Sequence, residues 1–511
     1  MKNDDLPVLN RSVLPKVSEE HIEKLDERFF NLPERILMFG TGVFLRGLVS
    51  HVIHEANTRG DFEGRIVMVQ STGSERAQQI NRQDGLYTLQ QIGVKENEAC
   101  ESLSIVPSVS RAVSAYDDWH SVLKLADDPQ MNIIVSNTTE VGISFNSRDA
   151  LDSVPPQSFP AKLTAWLYRK YATLGEDSGK QVILPCELIA DNGDYLKSLV
   201  QRYIGEWILE NDFKQWVDQH CIFANTLVDR IVPGRPDEDK LKQLQQRAGY
   251  SDQLWIEAEW YRLWAIEGDE RVLRNRLGFA RNDNSVVISN DITPYIERKV
   301  RILNGSHTAM TPVSLLAGNR TVYQTTTDTN TRNYLNHLIF NEIVPSLRLD
   351  RKMVESFANE VLDRFANPYI DHRLKQICLY ATTKIEKRIL PVIHAYYNNN
   401  ARWPEGLLLG IAAHLVLLKN VEPQTDGYTL TLGDDRHHVH DERAREISKL
   451  WKTGGTVPEI VEKILSSNEI WTDDSALMKR LIPDIKELVT EIVDYGIETP
   501  LRRLAEESIK K

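Results

Sequence analysis

The sequence predicts an α/β protein: a doubly wound, mostly parallel sheet over residues 1–290, then a mostly α-helical domain over residues 291–511. Three observations carry this. Short apolar runs alternate with helical periods in the first part of the chain. From Asp291 onward the period is almost wholly helical. A chain of 511 residues also exceeds what one hydrophobic core serves.

Residues 1–34 read as a polar lead-in with one short helical piece, EEHIEKLDERFF. RILMFG (35–40) is a buried strand ending in glycine, and VFLRGLVSHVIHEAN continues with apolar residues at helical spacing. GRIVMVQ (64–70), NIIVSN (132–137) and QVILPCE (181–187) are further apolar strands, and SVVISND (285–291) reads as the last. Helical stretches such as AKLTAWLYRKYATL lie between them, the pattern of a doubly wound sheet. After Asp291, Thr293 is an N-cap and Pro294 a first helical residue. GLLLGIAAHLVLL (406–418) is too short to span a bilayer and reads as a buried core helix.

Composition narrows the function. Hydrophobic content is 41% and charged content 26%, ordinary for a globular protein. A net charge of −12 gives nucleic acid or an anionic membrane no electrostatic footprint. The four cysteines form no CxxC pair, as expected of reduced thiols, and the N-terminus has no apolar leader. The expectation is a cytoplasmic protein, monomeric or a small homo-oligomer, acting on a small molecule.

Two motifs carry chemistry. FGTGVFLRG (39–47) follows the first strand and opens a helix. Gly40 and Gly42 allow a tight turn and backbone approach to a pyrophosphate, and the helix N-terminus offers free N–H groups. This is the Rossmann-type arrangement, although Leu45 stands where a third glycine is usual. Arg46 is placed to face phosphate. The second strand ends in Gln70-Ser71 without the acid that marks NAD over NADP, so this stretch leaves that choice open.

The second motif is KVRILNGSHTAM (299–310). On an α-helix, Lys299, Asn304 and His307 spread over about 140° and can face one cleft. A partly desolvated lysine exchanges protons readily with an alcohol or ketone, an asparagine amide donates to an oxyanion, and a histidine orients a carbonyl. The plainer alternative is a snorkelling lysine and a helix end at Asn304-Gly305. DDRHHVHDE (434–442) has no helical i,i+4 histidine pair and reads as a polar loop, so no metal is expected.

Together these motifs resemble the mannitol dehydrogenase family of polyol-specific long-chain dehydrogenases. The K-x-x-x-x-N-x-x-H run is similar to the family's catalytic signature. FGTGVFLRG, SNTTEVGI (136–143) and NTLVDRIVP (225–233) are similar to its cofactor loop, its strand-end segment and its V-D-R-I-x-P signature. SNTTEVGISF, PCELIADNGDYLKSLVQRY and NPYIDHRLKQICLYATTKIEKRILP resemble the branch that acts on ketouronates and aldonates in hexuronate breakdown. The resemblance implies a metal-independent, NAD-dependent oxidoreductase. It makes Lys299 the general acid/base, Asn304 an oxyanion donor and His307 a substrate ligand. It assigns cofactor contacts to Gly40, Thr41, Gly42, Val43, Phe44, Leu45 and Arg46, and to Asn137, Thr138 and Glu140. Asp229 lies in the matched V-D-R stretch and contacts or orients the substrate. Where the family has Cys-Asp-Asn, this chain has Cys186-Glu187-Leu188, which leaves Asn192 as the nearest amide. A uronate carboxylate calls for a cation, and His372, Lys384 and Arg388 are the candidates, Lys384 first. The alternatives are the sister activity on the epimeric ketouronate, a neutral polyol dehydrogenase, and a nucleotide-binding regulator without chemistry.

Overall fold

The computed structural model describes residues 6–17, 25–95, 98–138 and 142–509. Much of the helical piece expected in EEHIEKLDERFF lies outside the described residues; its end, Glu27–Asn31, is a 3-10 turn. The chain divides into two compact units, Met1–Gly93 with Cys100–Ile292 and Val94–Ala99 with Thr293–Lys511.

The first unit is organised on strands β1 (Glu34–Phe39), β2 (Arg65–Gln70), β3 (Tyr87–Lys95), β4 (Glu98–Val106), β5 (Val109–Ser114), β6 (Ile133–Ser136), β7 (Gln181–Pro185) and β8 (Cys221–Phe223). Six of them form one parallel sheet in the order β5-β2-β1-β6-β7-β8. The chain goes from β1 to one side and returns at β6 on the other. The ends of β1 and β6 therefore flank a topological switch point, where ligands of such sheets bind. Side chains alternate across the sheet: Ile36 and Met38 enter one core, Leu37 and Phe39 the other. Both faces are covered, which is why the strands read as unbroken apolar runs.

Four more strands follow: β9 (Thr226–Asp229), β10 (Ile256–Glu259), β11 (Leu263–Glu267) and β12 (Val286–Ser289). SVVISND is a strand, as expected, but it does not close the large sheet. It pairs with β11 in a separate sheet, β12-β11-β9, while β10-β3-β4 makes another. Arg230, just after β9, ties these layers together. Its guanidinium donates to the Glu259 carbonyl at 2.9 and 2.7 Å, to the Gly47 carbonyl, and lies 2.9 Å from His51 Nδ1. Burial and the neighbouring guanidiniums of Arg230 and Arg262 keep His51 neutral, down to about 3.

The second unit is mostly helical. At its centre the helix Glu405–Leu417 is buried on every side from Gly406 to Leu415, as GLLLGIAAHLVLL predicts. Gly410 lets it approach the helix Ser306–Leu316, since a Cβ there would meet the Ala309 backbone at 2.9 Å. Among the described residues no helix is long and apolar enough to cross a membrane. The four cysteines are unpaired thiols; Cys186, Cys221 and Cys378 are buried.

One expectation fails here. Asp434–Glu442 is not a loop: β13 (Glu422–Pro423), β14 (Gly427–Leu432) and β15 (Asp435–His440) form an antiparallel sheet. Two residues, Gly433 (φ +67°) and Asp434, connect Leu432 to Asp435, a hairpin connection flanked by alternating residues. A test for helical spacing does not detect that signal.

Candidate active site

The cofactor side is built by the sheet. Gly40 leaves β1 with φ +131°, a conformation only glycine adopts easily, and a Cβ there would meet Leu45 Cδ1 at 2.7 Å. Gly42 differs. Its φ is −65° and a Cβ would meet nothing within 4 Å, so neither its backbone nor its packing requires glycine. It caps the helical run Val43–Leu45, Arg46–Ser50 and His51–Arg59, whose middle segment is π-helical. Gly47, two positions beyond Leu45, makes the close approach, since a Cβ there would meet Val232 at 2.9 Å.

Above these strand ends lies a cavity of about 710 Å³. Gly40, Thr41, Gly42, Gln70, Ser71, Thr72, Asn137, Thr138 and Phe159 line it, among others. Gln70 folds back on its own loop, donating to the Thr72 carbonyl at 2.6 Å and accepting from Ala77 N–H at 2.7 Å. Ser71 Oγ is buried with no hydrogen-bond partner among the described residues. A hydroxyl-bearing ligand such as a ribose would satisfy it.

Several sequence expectations need placing. Val43, Phe44 and Leu45 pack into the core beneath the loop. Arg46 does not face the cavity. It is 2% exposed, donates to the Leu254 carbonyl at 2.5 Å and lies over the Tyr87 ring. The π-helical turn points it inward, so the expected phosphate contact is corrected to a packing role. Asn137 lines the cavity but spends its amide on the Cys186 carbonyl at 2.6 Å. Glu140 lies outside the described residues. Asn192 is buried, donating to the Glu187 and Thr226 carbonyls at 3.0 Å and accepting from Thr226 N–H at 2.8 Å. Both ends of its amide serve the backbone, so it does not fit as an oxyanion donor. Asp229 is buried at the end of β9.

Glu187 was missed. It is 3% exposed and accepts from Ser136 Oγ (3.1 Å), Thr138 N–H (2.9 Å) and Thr138 Oγ1 (3.1 Å), fixing the end of β6. Burial raises its pKa against those hydrogen bonds. An acid closing an otherwise apolar strand was the available signal.

In the second unit the helix Thr293–Arg298 widens into a π-helix, Lys299–Gly305, and continues as Ser306–Leu316. Gly305 has helical angles, so there is no helix end at Asn304-Gly305. In a π-helix each hydrogen bond spans five residues, the spacing of Lys299 and Asn304, and a turn takes about 4.4 residues. The wider turn brings the two to about 50° apart, where an α-helix would set them about 140° apart.

His307 is the hub of the surrounding charge. Its ring stacks on Phe365 (centroids 4.2 Å apart) and meets the edge of His372 (5.0 Å). Its Nε2 is buried with no partner among the described residues. Burial, then His372, Arg364, Arg388 and Lys384, hold its pKa well below the usual histidine range. It is therefore a neutral imidazole set among cations. Arg388 donates to Thr308 Oγ1 at 3.3 Å, and Thr308 donates to the Asn304 carbonyl at 2.8 Å. Lys384 donates to the Ile377 carbonyl at 3.1 Å, and burial, then Arg388, lowers it to about 8. His372, Lys384 and Arg388 are thus brought together as the sequence suggested. Arg364 was missed. It lies on the buried face of the helix Arg351–Phe365 with Val354, Phe357 and Val361, and an arginine on an apolar stripe was the signal.

Residues 34–277 match the mannitol dehydrogenase Rossmann domain and residues 291–493 the mannitol dehydrogenase C-terminal domain. The altronate oxidoreductase of Bacillus subtilis (strain 168) is 36% identical over 479 residues, covering 93% of this chain and 96% of that protein. That of Escherichia coli O7:K1 is 38% identical over 480 residues, covering 92% and 97%. Among solved structures, Pseudomonas fluorescens mannitol 2-dehydrogenase with NAD and D-mannitol superposes with a TM-score of 0.68 at 21% identity, covering 98% and 99%. A D-sorbitol dehydrogenase gives 0.78 at 20% identity, covering 97% and 100%. These two share the fold.

Proposed function

This chain belongs to the mannitol dehydrogenase family, and from that premise we propose that it reduces the ketone of D-tagaturonate to D-altronate. It is an NAD-dependent oxidoreductase acting on CH–OH groups. The relatives' name supports the substrate pair, and the cations Arg364, Arg388 and Lys384 bearing on His307 are the observation that carries it, since a carboxylate calls for such partners.

The cavity at the switch point fits the cofactor. Gly42 keeps open a space that its own fold does not need, and Ser71 offers an unsatisfied hydroxyl. Bound NADH supplies the hydride for the ketone carbon. The chain supplies the rest. Lys299, as the ammonium, donates the proton to the oxygen as it becomes an alkoxide. Asn304, on the same π-helical segment as Lys299, donates a hydrogen bond to that oxygen. His307, held neutral, offers Nε2 to a substrate hydroxyl or carbonyl. Lys384, Arg388 and Arg364 hold the carboxylate. Asp229 orients the substrate.

The deciding assay is NADH oxidation with tagaturonate, fructuronate and fructose side by side. Tagaturonate is expected to show the highest kcat/KM. Turnover of fructose alone would remove the carboxylate argument, and preference for fructuronate would reassign the epimer.

Lys384→Ala is expected to raise KM for the uronate about tenfold or more, the worth of one charge-assisted contact, and to leave KM for fructose nearly unchanged. Equal effects would take Lys384 out of the carboxylate site. The same contact sets a pH dependence. Lys384 faces Arg388, Cys378, Asp441 and His307 and titrates at about 8. Its charge is present below that pH and lost above it. KM for the uronate should therefore climb as pH passes 8, while KM for a neutral ketose stays flat. Parallel profiles would contradict this.

A further inference from the structure

The hairpin of β14 and β15 carries a cluster that the reaction has no use for. Gly427 pairs with His440, and Thr429 with His438. Strand alternation sends Val439 inward, where it is buried, and puts His438 and His440 together on the exposed face. Asp426, one residue before Gly427, reaches both. Its Oδ1 is 3.1 Å from His438 Nε2 and its Oδ2 is 2.7 Å from His440 Nδ1. The two rings stand edge to face, centroids 4.6 Å apart. One ligand atom from each residue lies within 4.8 Å of the other two. Gly427 makes this approach possible, since a Cβ there would meet Asp441 N at 2.8 Å and His440 Cα at 3.0 Å.

We propose that Asp426, His438 and His440 bind one divalent transition-metal ion of the zinc class. Two imidazoles and one carboxylate are borderline donors. They suit Zn²⁺, and by the same preference Ni²⁺ or Cu²⁺, while Mg²⁺ asks for oxygens. Three protein ligands leave the remaining positions to water. The site lies on the outer face of the second unit, and its residues are none of those given a part in the reaction. It does adjoin a structural joint. The His440 carbonyl accepts from Tyr380 N–H at 2.8 Å, and Asp441 accepts from Thr382 N–H at 2.8 Å, at the start of the segment that carries Lys384. A bound ion would pin Asp426 to the end of β15 and stiffen that joint.

The test is calorimetric titration of tag-free, full-length protein with ZnCl₂, and separately with MgCl₂. One equivalent of Zn²⁺ is expected to bind with a micromolar or tighter Kd, with no binding of Mg²⁺. His438→Ala and His440→Ala should each weaken Zn²⁺ at least about tenfold. His438→Gln, which keeps a polar side chain of similar reach, should do the same without disturbing the strand. His437→Ala, on the opposite face of β15, should leave the affinity unchanged. Far-UV circular dichroism should be the same for all. No Zn²⁺ binding would overturn the proposal. So would equal affinity in the His438 and His440 variants, or an equal loss in His437→Ala. In those cases the three side chains form only a hydrogen-bonded His–Asp–His cluster.

Discussion

Lys299→Ala should lower kcat for ketone reduction by about 10²–10⁴-fold, the range removed with a positioned general acid. NADH affinity, read by fluorescence quenching, should change little, because the side chain belongs to the second unit and the phosphate loop to the first. Lys299→Arg separates two explanations. It keeps a positive charge but holds its proton too tightly to give it up. If the charge alone mattered, arginine would restore most of the rate. If proton donation matters, both variants should be about equally slow. Near-wild-type turnover by either variant would remove Lys299 from its role. The neighbouring backbone is held independently of this side chain, since the Thr308 hydroxyl donates to the Asn304 carbonyl at 2.8 Å. Replacing Lys299 therefore leaves the pocket standing and takes out only the proton.

Gly42→Val should cost about 100-fold in NADH affinity, the equivalent of one or two charge-assisted contacts to a pyrophosphate. The valine fits the chain itself: φ −65° and ψ 162° suit any residue, and a Cβ would meet nothing within 4 Å. The loss of stability should stay within about 1 kcal/mol, as for a poorer N-cap residue. A well-folded variant that no longer binds NADH would isolate the loop's function from its structure. Unchanged affinity would mean that the pyrophosphate lies elsewhere. Gly40→Val cannot make that distinction, because φ +131° and the Leu45 methyl at 2.7 Å would distort β1 whether or not a ligand binds.

How much of this was legible depended on what the signal measured. Strands β1, β2, β6 and β7 are buried on both faces and stood out as apolar runs. β5 and β8 did not, because VSRAVS mixes polar and apolar residues at the sheet edge and CIF is three residues long. SVVISND was recognised as a strand but given to the wrong sheet, since periodicity says nothing about pairing partners. Spacing alone left Lys299, Asn304 and His307 open to a plainer reading, and the family resemblance singled them out together with Lys384 and Arg388, while the widened turns at Lys299–Gly305 and Ile385–Ile389 leave no mark in a 3.6-residue period. Arg46 shows the limit most plainly. A cation one turn into a phosphate helix suggests phosphate, yet the π-turn at Arg46–Ser50 points it at Tyr87 and Leu254. Asn192 was chosen because a familiar amide was missing, and the backbone had already taken its hydrogen bonds.

The π-helical turn at Lys299–Gly305 also has a consequence for helix register. Each hydrogen bond there closes over one more residue than in the α-helix on either side. Such a turn is what a single inserted residue produces in a helix whose two ends are already held in place. The later end is held: Gly410 seats against Ala309 in the segment that follows. Deleting one residue between Lys299 and Asn304 would thus give an unbroken α-helix, with the buried helix beyond it in the same register. In that shorter helix the lysine and asparagine would stand at i and i+4, about 40° apart and still on one face, so the widened turn accommodates a further residue while keeping the two side chains on neighbouring directions.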